Sequence, residues 1–324
     1  MISSTPWDDI QRPDADYNVR LTEESGPIAT YWGKDVSGHC LFVTELEGDH
    51  LAALRAADLN IHGITVDLRQ RLGKSEQTLV LTLVSHADRD LFHALCSTLA
   101  RNLSHARNAE VAITVTLNHL KRWQRFLAGK KPRLLSSEEV RGLFAELHFL
   151  RTLQSARLSW SDAVDAWAGP EGGDQDFAFG DTAVEVKALS NKTPNIVRIA
   201  SEDQLESLAE RLFLVVQRIV QDSESSGAFS LNEMIRFIEE ALRGSSVLDK
   251  YQAKLAMTGY VEVYQYDSPS FQVAETSAHC VDGAFPRIIR SGMPNGIHRV
   301  RYQLHLDAVK PFKCPLETIW ETNT

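Results

Sequence analysis

Asp176-Phe-Ala-Phe-Gly-Asp-Thr-Ala-Val-Glu-Val-Lys187 is the stretch from which the rest of the chain is read. Two short apolar runs flank Gly180-Asp181, and a glycine followed by a polar residue suits a two-residue type II′ hairpin turn. With that turn Asp176 stands opposite Glu185, their Cβ atoms about 5 Å apart. Lys187 lies two residues beyond Glu185 and projects from the same face. The other face carries Phe177, Phe179, Val184 and Val186, an apolar stripe for a helix to cover. Opposed like charges destabilise a hairpin, so this pairing needs a compensating cause. A divalent cation supplies one. Mg²⁺ is typically held by one or two carboxylates with waters and substrate phosphate, and a lysine beside it can place a water and offset phosphate charge. These parts suit phosphodiester hydrolysis. Asp174 is the second candidate for the first acid, because Gly172-Gly-Asp-Gln-Asp allows a register slip of two; the hairpin pairing favours Asp176. Without such context, a Glu-Val-Lys strand is ordinarily a solvated face.

Working outward, Leu135-Ser-Ser-Glu-Glu carries a capping box, Ser136 with Glu139, that opens a helix running to about Ser155. Glu146 lies inside it in Phe-Ala-Glu-Leu-His-Phe-Leu, where apolar neighbours imply partial burial and a need for a partner. Strand-like runs are expected at 164–168, 176–179, 182–187 and 196–200. A helix start is expected at Ser201-Glu-Asp-Gln-Leu, then an apolar strand at Phe213–Val216 extending toward Val220. Helix, strands, helix, strand is an α/β core of mixed topology. Helices at 230–243 and 246–257 and strands at 260–266, 271–276 and 298–306 follow. Ahead of the core, 28–84 is β-rich, with runs at 28–32, 39–46, 61–68 and 78–84 set off by turn signals, one of them Leu72-Gly-Lys-Ser75. Two helices come next: 89–103, with Asp88 as N-cap, and 109–127, ending at Gly129 and Pro132. The domain expectation is 1–132, a β-rich domain with two helices; 133–221, the core; and 222–324, a helical and β extension completing it.

The chain has 324 residues, 24% charged and 43% hydrophobic, with a formal charge of −9. These values exclude a disordered chain, a collagen-like repeat and a uniformly basic nucleic-acid binder. Cys40, Cys96, Cys280 and Cys314 are widely spaced, with no C-x-x-C pair, which fits neither a disulfide framework nor a zinc ribbon. Leu212–Val216, the most apolar run, is far short of the roughly 20 residues of a membrane span. The acidic, polar N-terminus lacks signal-peptide character. A soluble cytoplasmic protein with no membrane partner is expected. No P-loop, H-E-x-x-H or G-x-S-x-G motif is present, so His148 and His279 read as structural or exposed.

Glu146 on its helix, Trp167-Ala-Gly-Pro, Asp176-Phe, Val184-Glu-Val-Lys and Ile199-Ala-Ser-Glu-Asp-Gln-Leu together resemble the PD-(D/E)XK nuclease superfamily. More narrowly, they resemble an uncharacterised branch of restriction endonuclease-like proteins. The resemblance covers residues 138–206. It implies a restriction-endonuclease-like mixed β-sheet core flanked by helices, and a Mg²⁺-dependent DNA endonuclease, with Mn²⁺ as a substitute. By the same resemblance Asp176 and Glu185 are metal ligands, Lys187 is the catalytic lysine, Glu146 is an accessory metal-side acid and Gln204 is an auxiliary polar residue. A restriction or phage-defence role follows only from the resemblance. The sequence departs from the pattern at Gln175, which replaces the motif proline, and at Ala145, which replaces a glycine. Leu208 removes the Q-x-x-x-Y pattern of RecB-like nucleases.

Two basic segments flank the core. Arg101, Arg107, Lys121, Arg122, Arg125, Lys130, Lys131 and Arg133 are opposed only by Glu110, and Arg287, Arg290, Arg299, Arg301, Lys310 and Lys313 only by Asp307. Such clusters are solvated faces or track a double-stranded DNA backbone. Double-strand cleavage needs two active sites or two visits, so a homodimer or a partner subunit of a defence system is expected. The competing reading is a non-catalytic DNA- or protein-binding subunit with a nuclease-like fold.

Overall fold

The computed structural model describes residues 5–24, 26–70, 76–84, 89–128, 133–191, 194–221 and 227–321. Asp88, Gly129, Pro132, Lys130, Lys131 and the 72–75 turn lie outside these. The chain divides into two compact units, residues 1–134 with 259–264, and residues 135–258 with 265–324.

In the first unit, β1 (Tyr17–Leu21), β2 (Thr30–Asp35), β3 (Cys40–Glu47), β4 (Ile64–Gln70) and β5 (Glu76–Leu83) form an antiparallel sheet in the order β1-β2-β3-β5-β4. A short helix, α1 (Leu51–Ala56), and two longer ones, α2 (Arg89–Ser104) and α3 (Ala109–Leu127), complete it. The Asn108 side chain caps α3 by accepting from Val111 N, satisfying one of the free N–H groups of the first turn.

The second unit opens with α4 (Ser137–Ala156), whose Ser136–Glu139 capping box forms as expected. α5 (Trp160–Ala166) follows, where a strand was expected; the Ser159 side chain caps it by accepting from Asp162 N. That local hydrogen bond outweighs the apolar character of 163–167. Next come β6 (Phe177–Phe179), β7 (Thr182–Ser190), β8 (Ile196–Ile199), β9 (Arg211–Gln221), α6 (Leu231–Ala241), α7 (Val247–Met257), β10 (Phe271–Cys280), β11 (Tyr302–His305) and β12 (Lys313–Cys314). The main sheet runs β12-β10-β9-β7-β6, and β8 pairs with β11 in a separate two-stranded sheet. β7 and β9 are parallel and their neighbours antiparallel, so the sheet is mixed. The expected helix at 201 is a short 3-10 turn, Glu202–Leu205. The expected strand at 260–266 is irregular chain leading into a second such turn, Tyr264–Asp267, and 298–301 is irregular ahead of β11.

The two faces of β7 determine the site. Phe177 pairs with Val184, and the Phe177 ring meets Phe149 of α4 at 5.0 Å, so α4 covers the even-numbered face. On the other face Ala183 and Leu189 join Leu212, Leu214 and Val216 of β9, Val197 and Ile199 of β8 and Leu205 in one apolar cluster. Glu185 and Lys187 lie between Ala183 and Leu189 on that face, opposite Leu214 and Val216.

Candidate active site

The hairpin register is as the sequence implied: Phe177↔Val184, Ala178↔Ala183 and Phe179↔Thr182 close over Gly180-Asp181. Gly180 has φ +55, and Asp181 is not among the residues of positive φ, which is the type II′ pattern. Extension of the ladder by one residue sets Asp176 across from Glu185. The loop before it is drawn in tightly. Ala168 N and Gly169 N donate to Asp176 O at 2.8 and 3.0 Å. A Cβ on Gly169 would lie 3.1 Å from Asp176 Oδ1 and 3.3 Å from its Cα, so glycine at 169 is what lets the loop lie against this aspartate.

Five side chains named from the sequence meet here. Lys187 Nζ lies 2.6 Å from Glu185 Oε1 and donates to Gln204 Oε1 at 3.2 Å. Gln204 Oε1 also accepts from Ala200 N at 2.7 Å, which fixes the amide toward the lysine. Asp176 Oδ2 accepts from Val186 N at 2.8 Å. Glu146 reaches in from α4, its Oε2 accepting from the Trp167 indole N–H at 2.8 Å. Asp174, the alternative first acid, is exposed, and the register sets Asp176 across from Glu185.

Glu185 is the unusual member. Its side chain is 1% exposed, so the Glu-Val-Lys strand is not a solvated face. Its close partner is the Lys187 ammonium, 2.6 Å from Oε1. A buried carboxylate in that state costs several kcal/mol unless something compensates. Burial, then the nearby Asp176 charge, push its pKa up to about 8, with the Lys187 ammonium pulling the other way. Glu146 is raised well above the usual carboxylate range by burial first and then by Asp176, against the Trp167 hydrogen bond. Burial also raises Asp176, against Lys187 and the Val186 N–H. Burial, joined at Glu146 and Glu185 by repulsion from Asp176, thus holds all three carboxyls above their ordinary range, with one ammonium among them, and a further positive charge would favour their ionised forms.

The donor set fits a hard divalent cation: oxygens only, from two or three carboxylates. Among the described residues no three His, Cys, Asp or Glu side chains stand as a ready-made cage. Asp176 Oδ2, Glu146 Oε2 and Glu185 Oε1 face protein donors or the Lys187 ammonium, which leaves Asp176 Oδ1, Glu146 Oε1 and Glu185 Oε2 for a ligand.

Sequence reasoning missed the frame around these groups. Gln175, in place of the motif proline, is buried and its Nε2 donates to Asp203 O at 2.8 Å and Glu206 O at 2.9 Å. It thereby ties the hairpin to the turn that carries Gln204. Trp167 is fully buried and orients Glu146.

Several residues of the basic segments have partners within their own unit. Arg290 is bidentate on Asp203 at 2.8 and 2.7 Å, Arg287 donates to Leu205 O at 2.6 Å, and Lys310 pairs with Asp307 at 2.6 Å. Arg290 and Lys310 remain largely exposed, 62% and 72%, in these pairs. In the first unit Arg122 pairs with Glu262 at 3.0 Å and Arg101 lies over the Tyr264 ring. His148 is half-buried and His279 is buried, with Nδ1 3.3 Å from Leu214 O. All four cysteines are free. No helix among the described residues is long and apolar enough to cross a membrane.

A family model described as "Putative PD-(D/E)XK family member, (DUF4420)" matches residues 3–307. No curated protein and no solved structure matches the chain. The family match spans nearly all of the sequence, and the mixed sheet, the hairpin and its carboxylate–lysine set have the expected form. The chain belongs to the DUF4420 family, and its α/β fold is of the PD-(D/E)XK kind.

Proposed function

We propose that this protein is a Mg²⁺-dependent endonuclease that hydrolyses phosphodiester bonds of double-stranded DNA. The observation that carries the reading is Glu185: a carboxylate 1% exposed whose close charge partner is the Lys187 ammonium at 2.6 Å, with Asp176 and Glu146 beside it. A cation relieves that desolvation, and PD-(D/E)XK nucleases typically use divalent metals. Asp176 and Glu185 would hold the ion, with Glu146 behind them. When bound, such an ion lowers the pKa of a water and neutralises charge on a phosphate. Lys187 sets its ammonium beside the scissile phosphate and offsets the negative charge that develops there. Gln204 holds that ammonium in place, since its Oε1 accepts from both Ala200 N and Lys187 Nζ. Action as a homodimer, or with partner subunits in restriction or phage defence, belongs to the same proposal.

The test is conversion of supercoiled plasmid with Mg²⁺ or Mn²⁺. Wild type should nick or linearise it and lose activity on chelation. Glu185→Ala and Lys187→Ala should each fall by at least about 10²-fold, the usual cost of removing one electrostatic group, while melting cooperatively. Wild-type nicking by Lys187→Ala would remove its catalytic role. Metal-independent DNA binding with no cleavage under any divalent ion would favour the non-catalytic subunit.

A further inference from the structure

The second unit buries a lysine that the proposed chemistry does not use. Lys254, on α7, has a side chain only 2% exposed, a rare state for an ammonium without full pairing. It is fully paired. Its Nζ donates to Trp167 O at 2.5 Å and Asp165 O at 3.3 Å and lies 2.9 Å from Glu171 Oε2. Three donors thus meet three acceptors, all on the segment from the end of α5 to Glu171. Tyr251, one turn earlier on α7, sets its ring 6.1 Å from the Trp167 ring. That segment is the platform of the site. Trp167 Nε1 holds Glu146, and Ala168 N and Gly169 N hold the backbone of Asp176. Two of the three candidate metal-side carboxylates therefore hang from a segment that Lys254 clamps from behind.

We propose that Lys254 is a positioning residue of the metal site: by fixing residues 165–171 it sets where Glu146 and Asp176 stand. The inference rests on the metal-site reading and assigns a role in it to α7, far along the chain from the motif. The clamp does not touch the ion or the DNA. It acts on how well the acids are placed before the ion arrives, so its loss weakens metal binding before it weakens DNA binding.

The experiment is calorimetric titration of the full chain with Mn²⁺, together with kcat and KM for duplex cleavage. Lys254→Met keeps the apolar stem and removes the three donors. Its Mn²⁺ Kd should rise about tenfold, the lower end of what loss of a group orienting a ligand costs, with kcat reduced at saturating DNA and KM little changed. Ile319→Ala, which creates a cavity at a fully buried position outside this segment, supplies the control. It should lower the melting temperature but keep the wild-type Kd, which separates positioning from general destabilisation. If Lys254→Met does not fold, Glu171→Gln takes its place: it removes one of the three acceptors and should weaken Mn²⁺ binding to a smaller degree. Wild-type Mn²⁺ affinity in Lys254→Met, or in Glu171→Gln where that arm is needed, overturns the inference and leaves the metal site intact. A wild-type chain that binds no Mn²⁺ overturns the metal-site reading and the inference with it.

Discussion

At the scale of the residue, Glu185 is where the fold departs most from what stability alone would select. Its carboxylate lies among Ala183, Leu189 and Leu214 with the Lys187 ammonium 2.6 Å away, and a buried pair of this kind is weak evidence for stability. The pH dependence follows from its shifted pKa. The folded, metal-free protein holds the Glu185 proton up to about 8, whereas the unfolded chain releases it near 4.5. Between those values the folded state binds more protons, so stability is fully present below the lower one and is lost as pH rises through the upper. Chelated wild type should therefore melt lower at pH 9 than at pH 5.5 by at least about 1 kcal/mol of stability, since one pKa unit is about 1.4 kcal/mol. Glu185→Gln, neutral throughout, should flatten that slope, and thermal melts across pH read both. Equal slopes in the two proteins would mean that Glu185 titrates normally. The type of this residue, its face and its lysine neighbour were legible in the sequence. Its burial was not, because it depends on β8, β9 and the 202–205 turn closing over the face from elsewhere in the chain.

At the scale of the element, the 176–187 hairpin was legible because turn chemistry and period-two alternation agreed over a short span. α5 was misread because its apolar content spoke for a strand while the deciding signal, the Ser159 cap, is a single residue. β1 was missed because, apart from the half-buried Tyr17, its residues are exposed and show no alternation. The turn at 202–205 looked like a helix start, but Gln175, Arg287 and Arg290 hold it as a short turn. The loop before the hairpin supplies the prediction at this scale. Gly169→Ala places a methyl 3.1 Å from Asp176 Oδ1 and 3.3 Å from Asp176 Cα, tighter than an ordinary contact, so the aspartate must move. The melting temperature should fall by only a few degrees, consistent with a cost of about 1 kcal/mol, while plasmid nicking falls at least tenfold. Unchanged nicking would show that the Asp176 position is not critical.

At the scale of the whole molecule, the second basic segment divides into residues with partners in the second unit and arginines that face solvent. Residues 287–313 look strongly basic as a string, yet Arg287, Arg290 and Lys310 are paired inside the second unit. Arg299 and Arg301 are exposed. With residues 287–313 proposed to contact phosphates, Arg301→Ala should lower the slope of log affinity against log salt by about one, as expected for one lost phosphate contact. Arg290→Ala should leave that slope unchanged and instead loosen the turn carrying Gln204, seen as reduced cleavage. The reverse assignment of the two effects would show that Arg290 leaves Asp203 to meet DNA. Across the chain, local signals exposed the hairpin, the helix opened by the Ser136–Glu139 capping box and the acid–lysine set. What joins elements far apart in sequence, such as Lys254 to Trp167 and Arg290 to Asp203, was not legible, because neither partner carries a local mark of the other.

The central claim is that Asp176 and Glu185 bind a divalent cation, and Mn²⁺ located by its anomalous scattering in crystals of the full chain tests it most directly. The account predicts an anomalous peak in coordination contact with the Asp176 and Glu185 carboxylates, absent from Glu185→Ala crystals treated in the same way. Mn²⁺ peaks confined to other carboxylates, with Glu185 still paired only to Lys187, would contradict it.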